Sequence, residues 1–224
     1  MDLANKVADM TTPLNGSITL GQAPGTVDEI VRIADGAPIA LEKAALDNMA
    51  RVSSRIQRAI EQGQVIYGLT TGVGDLVTTR LSPDRMTDTQ LNMLRSHACG
   101  VGPDLTVREV RAMMAVTLKS LLQGYSGVTP ALAQRIADML NRQVTPWSPA
   151  GGSVGYLIAT AHIGLAVFGE GKCWYQGELL PAQQALTRAG IPPYVPGPRE
   201  GHALVGGTYE ITALGCLAVA DFQR

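Results

Sequence analysis

The chain has 224 residues, 46% of them hydrophobic and 17% charged, which is enough apolar material for a sizeable core and too little charge for a disordered polymer. Eighteen Lys and Arg against nineteen Asp and Glu leave a net charge of −1, with no basic block to displace counterions from a phosphate backbone, so nucleic acid is not an expected partner. The first thirteen residues include acidic side chains and no signal-like apolar stretch, and no later run looks long enough to cross a bilayer. The expectation is a cytoplasmic protein with no membrane partner.

Residues 1–26 mix Gly, Pro, Thr and Asn around the short apolar run Ile18-Thr19-Leu20 and read as a loosely ordered arm ahead of a body over 27–224. From Ile39 to Gln62, Leu41, Ala45, Met49, Val52, Ile56 and Ile60 recur at three- and four-residue steps, predicting a helix that Gly63 closes. Tyr67-Gly-Leu-Thr-Thr-Gly-Val-Gly74 holds three glycines and predicts a loop. Thr87 and Gln90 have the spacing of a capping box, with Leu91, Leu94 and Ala98 carrying a helix toward His97. Val107 to Leu121 and Thr129-Pro130 to Leu140 predict a pair of helices. Gly151 to Gly155 leads into an apolar helix reaching about Phe168; a hairpin over 172–180 and a short helix over 182–189 follow. Four prolines between 192 and 198 keep the next segment extended, and Ile211 to Phe222 is helix-compatible and apolar. The fold class is mainly α with few short strands. Cys99, Cys173 and Cys216 are odd in number and form no CxxC pair, so reduced thiols are expected rather than a disulfide frame or structural zinc.

Periodicity does not account for a set of short strings. Tyr67 to Gly74 resembles the YGxNTGFG loop of the aromatic amino acid ammonia-lyases, and Ser96-His-Ala-Cys-Gly-Val-Gly102 resembles their SHAxGVG segment. Gly124-Tyr-Ser-Gly127, Leu140-Asn141, Gly152-Ser-Val-Gly155, Ala161-His162, Gly169-Glu-Gly171 and Glu200-Gly-His-Ala-Leu204 follow in that family's order. The resemblance implies the N-terminal half of the ammonia-lyase helical fold, ending before its long C-terminal bundle. It further implies ammonia elimination from histidine, phenylalanine or tyrosine by a methylidene-imidazolone electrophile that cyclises from an internal Ala-Ser-Gly.

This sequence departs from the pattern at that point. Between Gly152-Ser-Val-Gly155 and Tyr156 to Ala161-His162 it is three residues shorter than GSVG-ASG-DLAPLAH, and the missing three are the Ala-Ser-Gly. Gly155 and Tyr156 therefore flank a former electrophile site. Two readings stay open. Either the group is absent and the chain uses no cofactor, or a cyclised tripeptide is left out of a sequence written in standard residues. Tyr156, Ala159 and Gly206 replace the family's aspartate, proline and asparagine, and these joint departures favour absence.

Carried over residue by residue, the resemblance makes Tyr67 the base toward the substrate's β-hydrogen and His97 the group that bonds a polar ring substituent. The plain alternative for Tyr67 is a half-buried loop root. Thr71, Gly72, Gly74, Ser96, Glu200, His202 and Gly206 are the expected substrate-binding positions, with 64–102 and 150–162 lining one pocket. His202 stands where the family has leucine, a polar insertion that costs free energy unless the imidazole finds partners. His162, on an apolar helix, reads better as a satisfied core residue. The three histidines share no ligand spacing, so no metal is expected, and no GxGxxG or GK[ST] supports a nucleotide.

Three functions are compatible with these residues: an enzyme using Tyr/His acid–base chemistry on an amino acid or related small molecule; a histidine-type ammonia-lyase with a hidden electrophile; and a non-catalytic binding or assembly subunit. Apolar residues run almost to Arg224 without a polar tail or breaker, so either a homo-oligomer or a companion chain supplying the C-terminal half is the expected partner.

Overall fold

A computed structural model of the chain describes residues 16–82, 85–152 and 157–223. Its first element corrects the expectation of a loose arm. Ile18–Leu20 (β1) pairs in parallel with Ile39–Leu41 (β2), and Ile18 and Leu20 are buried, because alternate apolar side chains can reach the core once the strand is paired. Between them Val27–Ala34 (α1) starts at a capping box that the periodicity did not single out. Thr26 Oγ1 accepts from the Glu29 N–H and the Glu29 carboxylate accepts from the Thr26 N–H.

The predicted long helix is shorter at its start. Ile39 to Leu41 belong to β2, and the helix proper is Lys43–Glu61 (α2), followed by Gly63 at φ +67°. Only Ala45 and Met49 are buried on it; Val52, Ile56 and Ile60 are half-covered, so its distal half leaves the core.

Met86–His97 (α3) shows no capping box. Thr87 lies inside the helix with its hydroxyl toward the Pro196 carbonyl, and Gln90 is buried against another segment. Val101–Asp104 (β3) precedes Val107–Leu121 (α4), where Thr106 and Glu109 do form a capping box. Pro130–Asn141 (α5) begins at the Thr129 cap with proline in its first turn. Thr145–Pro146 (β4), Pro149–Gly151 (β5) and Ile158–Val167 (α6) follow. Lys172–Tyr175 (β6) and Glu178–Pro181 (β7) are the predicted hairpin, leading into Ala182–Arg188 (α7). Glu200–Val205 (α8), missed behind the prolines, and Tyr209–Phe222 (α9) complete the described chain. The strands form three small sheets, β1-β2, β3-β5 and β4-β6-β7.

Helix α4 is the axis of the core, packed against α1, α5, α6 and α9. It is buried on nearly every side, including at Arg111, which is 2% exposed. The Arg111 guanidinium donates to the carbonyls of Ile33 (2.8 Å), Ala34 (3.2 Å) and Leu140 (3.0 Å), in the last turns of α1 and α5. Those carbonyls sit at the negative end of each helix dipole, where Ile33 and Leu140 otherwise accept only from the Gly36 and Gln143 N–H groups of the closing turns, so one cation supplements two helix termini. Arg108, also on α4, bonds Asp35 at 2.7 Å and Asp221 at 2.9 Å, tying α1 and α9 to the same helix. A second group, α3, α6 and α8, packs mutually beside this core.

The run Glu200–Phe222, at a mean hydropathy of 1.5, is long and apolar enough to span a membrane, which corrects the expectation that no stretch approaches this. Residues 206–208 interrupt its regular helix, and α8 is largely packed into the fold.

Replacing Arg111 by Met is expected to cost about 3 kcal/mol or more in urea unfolding, because the Ala34 carbonyl loses its donor and those of Ile33 and Leu140 each lose one, keeping only the Gly36 and Gln143 N–H groups. A loss below about 1 kcal/mol would show that these bonds are dispensable.

Candidate functional site

The glycine-rich segment is held at its base by backbone rather than by packing. Thr70 Oγ1 accepts from the Ile66 N–H (2.8 Å) and donates to the Gln64 carbonyl (2.8 Å), while the Leu81 N–H reaches the Thr70 carbonyl (2.9 Å). Thr71 bridges Arg80, its buried hydroxyl donates to the Gly72 carbonyl, and the Gly72 N–H donates to Thr79. Thr71 and Gly72, expected as substrate contacts, thus spend these polar groups on the loop itself. Thr70, which the sequence reading passed over, is the residue that ties the loop shut.

Tyr67 stands out from this frame, 53% exposed. Its phenol oxygen accepts from the Gly74 N–H at 3.2 Å, a contact made where Gly74 takes φ +57°. The half-buried loop root is not its position.

His97 is the last residue of α3 and is half-buried. Its Nδ1 lies 2.8 Å from the Met93 carbonyl, which can only accept, so Nδ1 carries the proton and the neutral ring keeps Nε2 as an open acceptor. Ser96 is exposed, and its hydroxyl lies 2.9 Å from the same carbonyl and 3.1 Å from Nδ1, on the side of the ring away from Nε2.

His202 meets the glycine loop directly. A Cβ added at Gly68 would come within 3.1 Å of the ring's Cε1 and Nδ1, and Gly68 itself sits at φ +65°, so the loop backbone lies flat on the imidazole as only glycine allows. The His202 N–H donates to Gln90 Oε1 on α3 at 3.0 Å, and Gly201 packs against the Gln90 backbone. Gln90 is therefore a positioning residue whose only sequence signal was misread as a cap. Nδ1 of His202 is buried without a hydrogen-bond partner among the described residues. Burial, and then the charge of Arg199, hold this imidazole below the usual histidine range. Gly206 lies one turn further along, exposed, with its missing Cβ directed at the His202 carbonyl and ring.

Glu200 is not available as a substrate contact. It is fully buried, and its carboxylate accepts from Thr129 N–H and hydroxyl, the Tyr194 hydroxyl and the Gly197 N–H. It anchors α8 to the start of α5. His162 plays the structural part expected of it: Nε2 accepts from the Gly100 N–H at 3.3 Å, the ring stands edge-on to Trp147, and burial lowers its pKa.

Segments 64–102 and 150–162 meet where Gly100 packs against Ile158 and His162, yet neither of two cavities found in the chain joins them. One, of about 170 Å³, lies under the loop base between Ile60 and Met86; the other, of about 220 Å³, is on a different face. Gly155 and Tyr156 lie outside the described residues. His97 and the Gln90 that holds His202 are seven residues apart on α3, roughly 10 Å along the helix. Neither of these two cavities is lined by Tyr67, His97 or His202. No group of three metal-binding side chains occurs among the described residues.

Because burial lowers the pKa of both half-buried imidazoles, the unfolded chain binds more protons around and below the ordinary histidine pKa of about 6.5, and stability falls as pH drops through that value. His202→Leu removes one of these groups together with the orphaned Nδ1. It is expected to raise stability by about 1 kcal/mol and to flatten the acid limb in pH-dependent urea unfolding; a loss of stability would mean that Nδ1 has a partner.

The aromatic amino acid lyase family model matches residues 26–224. Histidine ammonia-lyase of Geobacillus thermodenitrificans is 38% identical over 203 residues, 89% of this chain and 40% of that enzyme. Tyrosine aminomutase from Streptomyces globisporus superposes with a TM-score of 0.87 at 32% identity, covering 92% of this chain and 39% of that one. Histidine ammonia-lyase from Trypanosoma cruzi gives 0.85 at 30%, covering 92% and 40%. The chain thus spans about two fifths of the length of these relatives. Matched by the family model from residue 26 to 224, the chain belongs to the aromatic amino acid lyase family.

Proposed function

We propose that the chain carries the Tyr/His half of a lyase-type active site acting on an amino acid or related small molecule. One observation carries this reading. Tyr67 and His97 each have their inward position fixed by backbone, Gly74 N–H on the phenol oxygen and the Met93 carbonyl on Nδ1, while the remaining O–H and Nε2 stay open. Groups arranged in this way are oriented before a substrate arrives. Tyr67, on a glycine loop able to shift, exchanges the proton at the substrate carbon; His97 Nε2 accepts a hydrogen bond from a polar ring substituent.

Two features support a reading without the methylidene-imidazolone. The sequence has no Ala-Ser-Gly, and at Gly206 a side chain would start 3.1 Å from the His202 carbonyl, tighter than ordinary contact. Without an electrophile, acid–base groups alone act most readily on a carbon already acidified by a neighbouring carbonyl.

Tyr67→Phe and His97→Ala are each expected to lower turnover at least about tenfold, roughly 1.4 kcal/mol in barrier, with unchanged thermal unfolding. Full activity in both, on a substrate found by screening amino acids and their keto analogues, would remove these residues from the working site.

The histidine ammonia-lyases among the relatives favour a second reading, in which a cyclised tripeptide sits between Gly155 and Tyr156. Intact mass separates the two: a mass equal to that calculated from 224 residues eliminates the covalent group, and an excess matching dehydrated Ala-Ser-Gly establishes it.

The apolar face of α9, where Ile211 is 67% and Phe222 92% exposed, supports the proposal that a second copy or a companion chain closes the pocket. Light scattering is expected to show an assembly; a monodisperse monomer that is active alone would refute it.

A further inference from the structure

Among the described residues two arginines are buried, Arg111 and Arg135, and the fold treats them differently. Arg111 is 2% exposed with all three guanidinium nitrogens donating to carbonyls. Arg135, on α5, is 5% exposed, and only two of its nitrogens are used: Nε donates to the Val167 carbonyl at 3.0 Å and Nη1 to the Pro192 carbonyl. Among the described residues, Nη2 has no hydrogen-bond partner and no carboxylate forms an ion pair with this guanidinium. An arginine cannot shed its charge to escape burial, so the site holds a largely buried cation, eased only by the more distant charge of Asp138, with one donor left for solvent or a ligand.

Arg135 is one of the residues lining the 220 Å³ cavity. Phe168, Leu186, Ile191 and Pro193 supply its apolar lining. Phe168 stacks on Tyr194 with centroids 5.9 Å apart, and the Arg135 guanidinium carbon lies 6.0 Å from the centroid of the same Tyr194 ring. One carboxylate, Glu170, lines the cavity, and Arg95 holds it in a two-point ion pair that neutralises it. Thr187 and Gln183 stand exposed at the mouth. The volume is below that of pockets for drug-sized ligands, which limits an occupant to about one ring.

We propose that this cavity is a second binding site, separate from the Tyr67 and His97 surface, for a small monocarboxylate with an apolar body. The carboxylate takes the free Nη2 donor and supplies the missing counter-charge, and the body fills the space against Phe168, Leu186 and Ile191. A charge-assisted bond to a planar guanidinium gives the selectivity for a carboxylate, and the apolar walls exclude hydrated inorganic anions.

Benzoate is the probe. Calorimetric or NMR titration of the intact chain is expected to show saturable one-to-one binding in the millimolar range, at least about tenfold weaker for benzamide, which keeps the ring and loses the charge. Thr187→Trp, at the exposed mouth, is expected to weaken benzoate at least about tenfold with unchanged thermal unfolding. Tyr67→Phe and His97→Ala are expected to leave benzoate affinity unaltered, which keeps this site distinct from the proposed active site whatever the fate of that proposal. Absence of saturation, equal affinity for benzamide, full affinity in Thr187→Trp, or loss of affinity in the Tyr67 or His97 variants would each overturn the assignment.

Discussion

The three bonds of Arg111 constrain the rest of the structure. A guanidinium at the centre of α4 is tolerable only while the last turns of α1 and α5 stay where their carbonyls can accept from it. Asn141, the final residue of α5, extends the same junction: its amide exchanges two hydrogen bonds with the backbone of Ile39 in β2, at 2.8 and 2.9 Å. Two adjacent positions, 140 and 141, thereby lock the N-terminal β1-α1-β2 unit onto the core. Helix α6, packed on α4, inherits its place from this arrangement and in turn supports α3 and α8.

Around that second helix group, absence of side chains does as much as their presence. Gly201 sits on the Gln90 backbone, and Gly164 nests between Leu94 and Leu204, so α3, α6 and α8 approach more closely than larger residues would permit. The close approach brings the His202 N–H to Gln90 and its ring under Gly68. Position 202 thereby couples the glycine loop to the helices. The polar insertion anticipated there found one partner for its backbone and, among the described residues, none for Nδ1, while burial and then the charge of Arg199 lower the imidazole's pKa.

Much of the fold was legible because it rests on local signals. The stripes of α4 and α5, the hairpin at 172–181 and the glycine after α2 depend on side-chain period and backbone freedom, and both are written in sequence. What escaped depends on distant partners. β1 is a strand only because β2, nineteen or more residues away, accepts it; Glu200 looks like a site residue until Thr129 and Tyr194 surround it. Thr87 and Gln90 show the same failure at short range, since their capping spacing is real but the helix already begins at Met86. For Tyr67 and His97 the strings identified positions, and the backbone bonds that orient them became visible only in three dimensions.

The junction at residues 140 and 141 also has a consequence for synthesis. The contacts that seat the first strand pair are made with residues about a hundred positions later, as in Ile39 with Asn141, and Arg111 itself lies 78 residues beyond Ile33. At elongation rates of about 5–20 residues per second, the N-terminal unit waits roughly 5–20 s outside its final environment before α5 emerges. During that interval β1 and β2 present unpaired edges and apolar faces, so the nascent chain passes through a stage in which a chaperone, rather than its own core, is the available cover.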